Sequence, residues 1–337
     1  AQDVDSGHGT HVSVSVLGDG TGTGLGQGTA PAASLVFQAT EDFVDHSGFC
    51  ESIYGDGYFL TGLPDDLEDL LQQAYNDGAR IHSDSWGTSV DGEYTADSAS
   101  VDNFTWDNPT FLMTTSAGNA GIDANSNGVV DDDSTGSPAT AKNVLTVGAV
   151  ADVPGGYAAP ADVIRTSLGG WGPTDDGRIK PDLVANGADI WSPIAASDAS
   201  YTSYTGTSMA TPNVTGSLAL LIQHYRATHG GADMRAATLK GLAIHTADES
   251  GDHDGPDYTF GWGLLNTRRA ADHITQDEAF DESIQELGLA TGDRVEQTWT
   301  SDGLEPVRVT ICWTDAPGTP VGRSLDPKDR MLVNDLD

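Results

Sequence analysis

Short apolar runs alternate along this chain with stretches of helical periodicity, the pattern of a parallel sheet covered by helices. Ser34–Ala39 reads as a strand. Asp65–Ala79 reads as a helix, because Leu67, Leu70, Leu71, Ala74 and Tyr75 recur at helical spacing. Asp65 and Asp66 favour its N-terminus and Gly78 marks its end. Ile81–Ser85, Thr110–Ser116 and Val144–Val150 supply further short strands. Ala210–Tyr225 is a long, mostly apolar helix suited to the core, Thr238–His245 a second helix, and Gly261-Trp262-Gly263 a turn. The expected fold class is α/β, a doubly wound and mostly parallel sheet over residues 1–272. From about Asp272 the composition changes, and 273–337 reads as the incomplete start of a β-rich domain.

Charge narrows the partners. Lys and Arg number 15 against 51 Asp and Glu, for a net charge of -36. A basic stripe for phosphate is missing, so nucleic acid is excluded, and an anionic membrane surface is equally unsuited. No apolar run approaches the ~20 residues of a spanning helix, so no membrane insertion is expected. Self-repulsion at this charge destabilises a compact domain in dilute buffer. At about 1 M salt the Debye length falls to roughly 3 Å and most of that repulsion disappears, so a halophilic protein is expected. Cys50 and Cys312 are too few for a disulfide framework. Cys312 sits in the strand-like alternation Val307–Trp313, where a buried thiol is expected and pairing with Cys50 stays open.

Three segments carry chemistry. Gly7-His8-Gly9-Thr10-His11-Val12 suits a base at the start of a helix packed on the sheet. In Gly206-Thr207-Ser208-Met209-Ala210-Thr211-Pro212 a serine opens the long apolar helix. Its hydroxyl then projects where the helix carries about half a positive charge, which favours a developing oxyanion. Between them Ser116-Ala117-Gly118-Asn119 ends an apolar strand, with an amide able to donate to such an oxyanion. A His and a Ser so placed suit the nucleophile–base pair of acyl transfer.

In this order and on this pattern the three segments resemble the subtilisin family, the S8 serine peptidases. The resemblance covers roughly residues 3–272 and is closest to the oxidatively stable, high-molecular-weight alkaline branch, which carries a β-barrel or jelly-roll domain after the protease. Also shared with that branch are Thr140-Ala141-Lys142-Asn143, Asp176-Gly177-Arg178-Ile179-Lys180-Pro181-Asp182 and Trp313-Thr314-Asp315-Ala316-Pro317. The resemblance implies a serine endopeptidase with His8 as general base, Ser208 as nucleophile, Asn119 as oxyanion donor and His11 structural. It implies protein or peptide substrates bound as an added strand between Ser85-Trp86-Gly87 and Ser116-Ala117-Gly118, a monomer, an extracellular location, and a cis bond before Pro138.

The family's triad Asp lies on a first strand some tens of residues before the His. Asp5-Ser6-Gly7 has the residue types of its motif but lies too close to His8. The chain is therefore expected to be truncated at both ends, with the acid outside it. In subtilisin, loss of that Asp alone costs about 3 × 10⁴ in kcat, so this stretch by itself is expected to be nearly inactive. Asp123, Asn125, Asn127, Asp131 and Asp133 place oxygens at the alternating positions of a Ca²⁺ loop, with Gly128 sixth. Ser134 at the twelfth position rules out an EF-hand, and structural Ca²⁺ in a dockerin-like cage is expected. Two other classes remain: a pseudoprotease that binds peptides without cutting them, and a Ca²⁺-binding surface domain. The charge argument predicts a melting temperature that rises between low salt and about 1 M salt; an unchanged one would remove the halophilic reading.

Overall fold

The computed structural model describes residues 7–21, 26–121, 132–280, 283–301, 303–304, 306–322 and 324–336. In chain order its elements are α1 (His8–Leu17), β1 (Asp42–Val44), α2 (Phe49–Tyr54), β2 (Gly57–Phe59), α3 (Leu67–Asn76), β3 (Ile81–Asp84), α4 (Ala96–Asp107) and β4 (Leu112–Ser116). They continue as β5 (Leu145–Val150), β6 (Leu183–Asn186), β7 (Ile190–Pro193), β8 (Tyr201–Tyr204), α5 (Thr207–Thr228), α6 (Ala236–His245) and α7 (Thr267–Phe280). A 3₁₀ turn lies at Pro160–Asp162.

The centre is a parallel sheet in the order β3-β4-β5-β6, with Asp84 opposite Thr115 and Val147 opposite Leu183. Alternation along the strands sends side chains to both faces. Leu112, Leu145, Val147 and Leu183 pack with Val214, Leu218 and Leu221 of α5, Leu239 and Leu242 of α6, and Ile274 of α7. Met113 and Phe111 meet Leu67, Leu71, Val101 and Phe104 of α3 and α4 on the other face. The sheet is therefore covered on both sides, as its apolar runs require. Asp66 caps α3 by accepting from the Glu68 N–H at 3.0 Å, and Thr95 caps α4. Antiparallel pairs β1–β2 and β7–β8 lie outside the main sheet.

The expected helices and three of the expected strands are present. Ser34–Ala39 is not a strand: no strand pairs with it among the described residues, and Leu35 and Phe37 are 51% and 49% exposed. Nor is Val307–Trp313 paired, and Val307, Val309 and Ile311 on its alternating face are 58%, 56% and 68% exposed. An alternating run becomes a strand only against a ladder partner, and the described residues offer none. The change of composition near Asp272 falls inside α7, and no strand follows it among the described residues. Cys50 is exposed, Cys312 is partly buried, and both are free thiols. The Ser137–Pro138 bond is cis, as are those before Pro173 and Pro181.

Candidate active site

Ser208 lies in the first turn of α5, where backbone N–H groups lack helical partners. Gly206 at the N-cap brings no side chain to satisfy them. Asn119 does so from the end of β4: its Oδ1 accepts from Thr207 N–H at 3.0 Å and Thr207 Oγ1 at 3.1 Å. Because a donor faces that atom it must be the oxygen, so the Nδ2 amine is the end left over. Neither Asn119 Nδ2 nor the Ser208 N–H has a partner among the described residues.

Pro212 fixes the other end of this turn. It lacks the N–H that would bond the Ser208 carbonyl four residues earlier. Ser85 Oγ donates to that carbonyl instead at 2.9 Å, and Ser208 Oγ donates to Ser85 O at 3.0 Å. The reciprocal pair pins the helix start to the end of β3.

His8 is the first residue of α1, after Gly7 in the left-handed region at φ 66. This helix packs on α5 and β7. His11, one turn on, is fully buried; its Nε2 lies 3.0 Å from Ile190 O, and burial holds its pKa below the ordinary histidine range.

Ser85-Trp86-Gly87 and Ser116-Ala117-Gly118 continue the neighbouring strands β3 and β4 and then part. A loop enters between them: Thr88 and Ser137 exchange two backbone bonds of 2.9 Å, and Gly136 N–H donates to Ala117 O at 3.0 Å. Residues 136–138 are thereby held between the two segments, where they would be the floor of a slot with those segments as its walls. A Cβ on Gly87 would lie 2.6 Å from Ser137 O, so what this glycine admits is the floor, while Gly118 is required by its φ of 102. On β3, partly buried His82 lies 3.1 Å from Asp84 Oδ1. Burial opposes its protonation, but the Asp84 carboxylate prevails and raises its pKa.

Of the five proposed metal ligands, Asp123, Asn125, Asn127 and Asp131 lie outside the described residues, as does Asp5. Asp133 is described, and its carboxylate gathers with Asp175 and Asp326 so that one oxygen of each lies within 4.8 Å of the others. Burial, then the neighbouring carboxylates, push its pKa up to about 7. Asp133 Oδ1 and Asp175 Oδ1 are buried without a hydrogen-bond donor. Two such oxygens with the exposed Asp326 carboxylate beside them are hard donors, which suit Ca²⁺ better than a softer metal.

The motifs did not disclose Thr207 as the anchor of Asn119, nor Ser85 as partner of the Ser208 carbonyl. The second had a signal in the sequence, the proline four residues after the serine.

The fold and this arrangement define an α/β protein of the serine-type peptidase class. The Peptidase_S8 model, Subtilase family, matches residues 1–263, and the chain belongs to that family. It is 24% identical to the serine protease/ABC transporter B family protein tagA of Dictyostelium discoideum over 99% of the chain and 24% of the relative. To tagD of the same organism it is 26% identical over 81% of the chain and 22% of that protein. The chain thus spans about a quarter of the length of these curated relatives. Among solved structures it is similar in fold to the patellamide maturation protease PatA, with a TM-score of 0.57 and 24% identity over 80% of this chain and 84% of that one.

Proposed function

We propose that the chain is the peptidase domain of a secreted serine endopeptidase that cleaves proteins or peptides through an acyl-enzyme on Ser208. The observation that carries this reading is the anchoring of the α5 N-terminus by Asn119 and Ser85, which leaves two donors, Ser208 N–H and Asn119 Nδ2, beside one hydroxyl. His8 takes the Oγ proton as Oγ bonds the substrate carbonyl carbon. The two donors hold the oxyanion that forms, and the helix N-terminus adds to its stabilisation. His8 then gives the proton to the leaving amine, the C–N bond breaks, and water releases the acyl group by the reverse sequence. The peptide lies along the slot walls as an added strand.

The triad acid fits a strand on the free side of β3. That strand stands at the edge of the sheet and carries no partner on that side among the described residues, and Ser83 is exposed. A parallel strand is normally buried between neighbours.

The halophilic reading gains support from the lysines. Of Lys142, Lys180, Lys240 and Lys328, the first three are used in buried ion pairs. A surface kept almost free of lysine while carboxylates crowd it suits high salt. Structural Ca²⁺ near Asp133 would neutralise carboxylates that now lack donors.

In the full-length protein, in molar salt with Ca²⁺, a fluorophosphonate should label Ser208 and casein should be cleaved, and Ser208→Ala should lose both. Asn119→Ala should lower kcat by about 10²–10³, the cost of one oxyanion donor in subtilisin. A folded protein that is never labelled would sink the peptidase reading in favour of peptide binding. Adding Ca²⁺ after chelation should release heat and raise the melting temperature; neither change would remove the calcium reading.

A further inference from the structure

Three motifs that the chemistry of Ser208 leaves unused, around Lys142, Asp176 and Asp315, meet at one place. Lys142 Nζ bonds Asp315 Oδ2 at 2.6 Å, Met331 O at 2.9 Å and also Ala316 O. The paired side chains are only 4% and 3% exposed. Asn143 binds the Asp315 backbone twice, Nδ2 to O at 2.8 Å and Oδ1 from N–H at 2.9 Å. Asp315 in turn accepts from Val333 N–H at 2.9 Å and from Asn334 N–H at 2.8 Å, closing residues 313–318 onto 331–334. A second strut runs from Met331 N–H to Asp176 Oδ2 at 3.1 Å, through Arg178 Nε at 2.9 Å, to Thr140 O from Arg178 Nη1 at 2.8 Å.

Both struts end on one loop, residues 136–143. Its upper end is the floor of the slot, bonded to Thr88 and Ala117. Its lower end is held from the opposite side by fully buried Asp102, which accepts from Lys142 N–H at 3.0 Å and Asn143 N–H at 2.8 Å. Between the ends Thr140 N–H bonds Gly136 O at 3.2 Å and Ala141 N–H bonds Pro138 O at 2.9 Å. Ser137, Ala139, Thr140 and Ala141 are all buried, so the loop has no room to move independently of its supports.

We propose that Asp315 is a positioning residue for substrate binding: through Lys142 and Asn143 it makes the joined segments 313–318 and 331–334 a support of the floor beneath the substrate slot. The inference rests on the reading of that slot as the substrate site. It assigns the segment, which lies past the residues matched by the family model, to the working peptidase unit.

The test uses the full-length protein and three readouts: KM for a peptide long enough to fill the slot, kcat, and the rate of Ser208 labelling by a small fluorophosphonate. Asp315→Asn should raise KM about tenfold while kcat and labelling hold, the pattern of lost uniform binding. Lys142→Met/Asp315→Leu, which leaves no buried charge unpaired, should show the same rise. An unchanged KM in either folded variant, or labelling that falls in step with KM, overturns the proposal. Hydrogen exchange on the unmodified protein reads it even where a variant does not fold. The amides of Ser137, Asn143, Asp315 and Val333 should open together, and free exchange of the last two beside a protected loop would contradict it. If the unmodified protein is not labelled, the peptidase reading fails, and the exchange result still decides whether the segment supports the loop.

Discussion

The site depends on the burial of α5 against the parallel sheet. Val214, Leu218 and Leu221 are at most 1% exposed and pack with Leu112, Leu145, Val147 and Leu183. At about 1.5–3 kcal/mol for each large apolar side chain removed from water, this contact outweighs any single polar bond in the site. It is also polar at one point: Thr215 Oγ1 lies 2.7 Å from Thr114 Oγ1 and donates to Ser83 Oγ at 2.9 Å, which sets the helix along β3 and β4. With the helix fixed, its first turn projects at the ends of those strands. Pro212 then frees the Ser208 carbonyl for Ser85, and Gly206 leaves the Thr207 N–H to Asn119.

The treatment of charge follows a similar economy. Lys180 and Lys240 flank Asp182, with Nζ atoms 2.7 and 2.8 Å from its two oxygens. Burial opposes ionisation of this carboxylate, but the two ammonium groups prevail and hold its pKa below the ordinary range. The same balance holds at Asp315, where burial is overcome by Lys142 and by backbone N–H groups. A buried carboxylate that lost its cation would be strongly destabilising, by about 3–5 kcal/mol. The three buried lysines therefore sit where lost charge would cost most.

Much of the fold was legible because periodicity reports burial. α3 follows from apolar residues at helical spacing, β4 and β5 from short apolar runs, and α5 from a long, mostly apolar stretch. Ser34–Ala39 and Val307–Trp313 misled for one physical reason: an apolar or alternating run states a preference for a ladder without supplying the neighbour that makes one. His8, Asn119 and Ser208 were visible as motif residues. The roles of Thr207, Ser85 and the Lys142–Asp315 pair were not visible, because they come from contacts across 88, 123 and 173 positions of sequence. No local pattern encodes such separations.

The central claim is that Ser208 forms a covalent acyl intermediate at the anchored start of α5. Rapid-quench mass spectrometry of the full-length protein with a slowly deacylated ester tests it most directly. The account predicts a transient mass increase equal to the acyl group, located on the peptide containing Ser208 and lost in Ser208→Ala. Turnover of the ester with no such adduct, or an adduct on another residue, would contradict it.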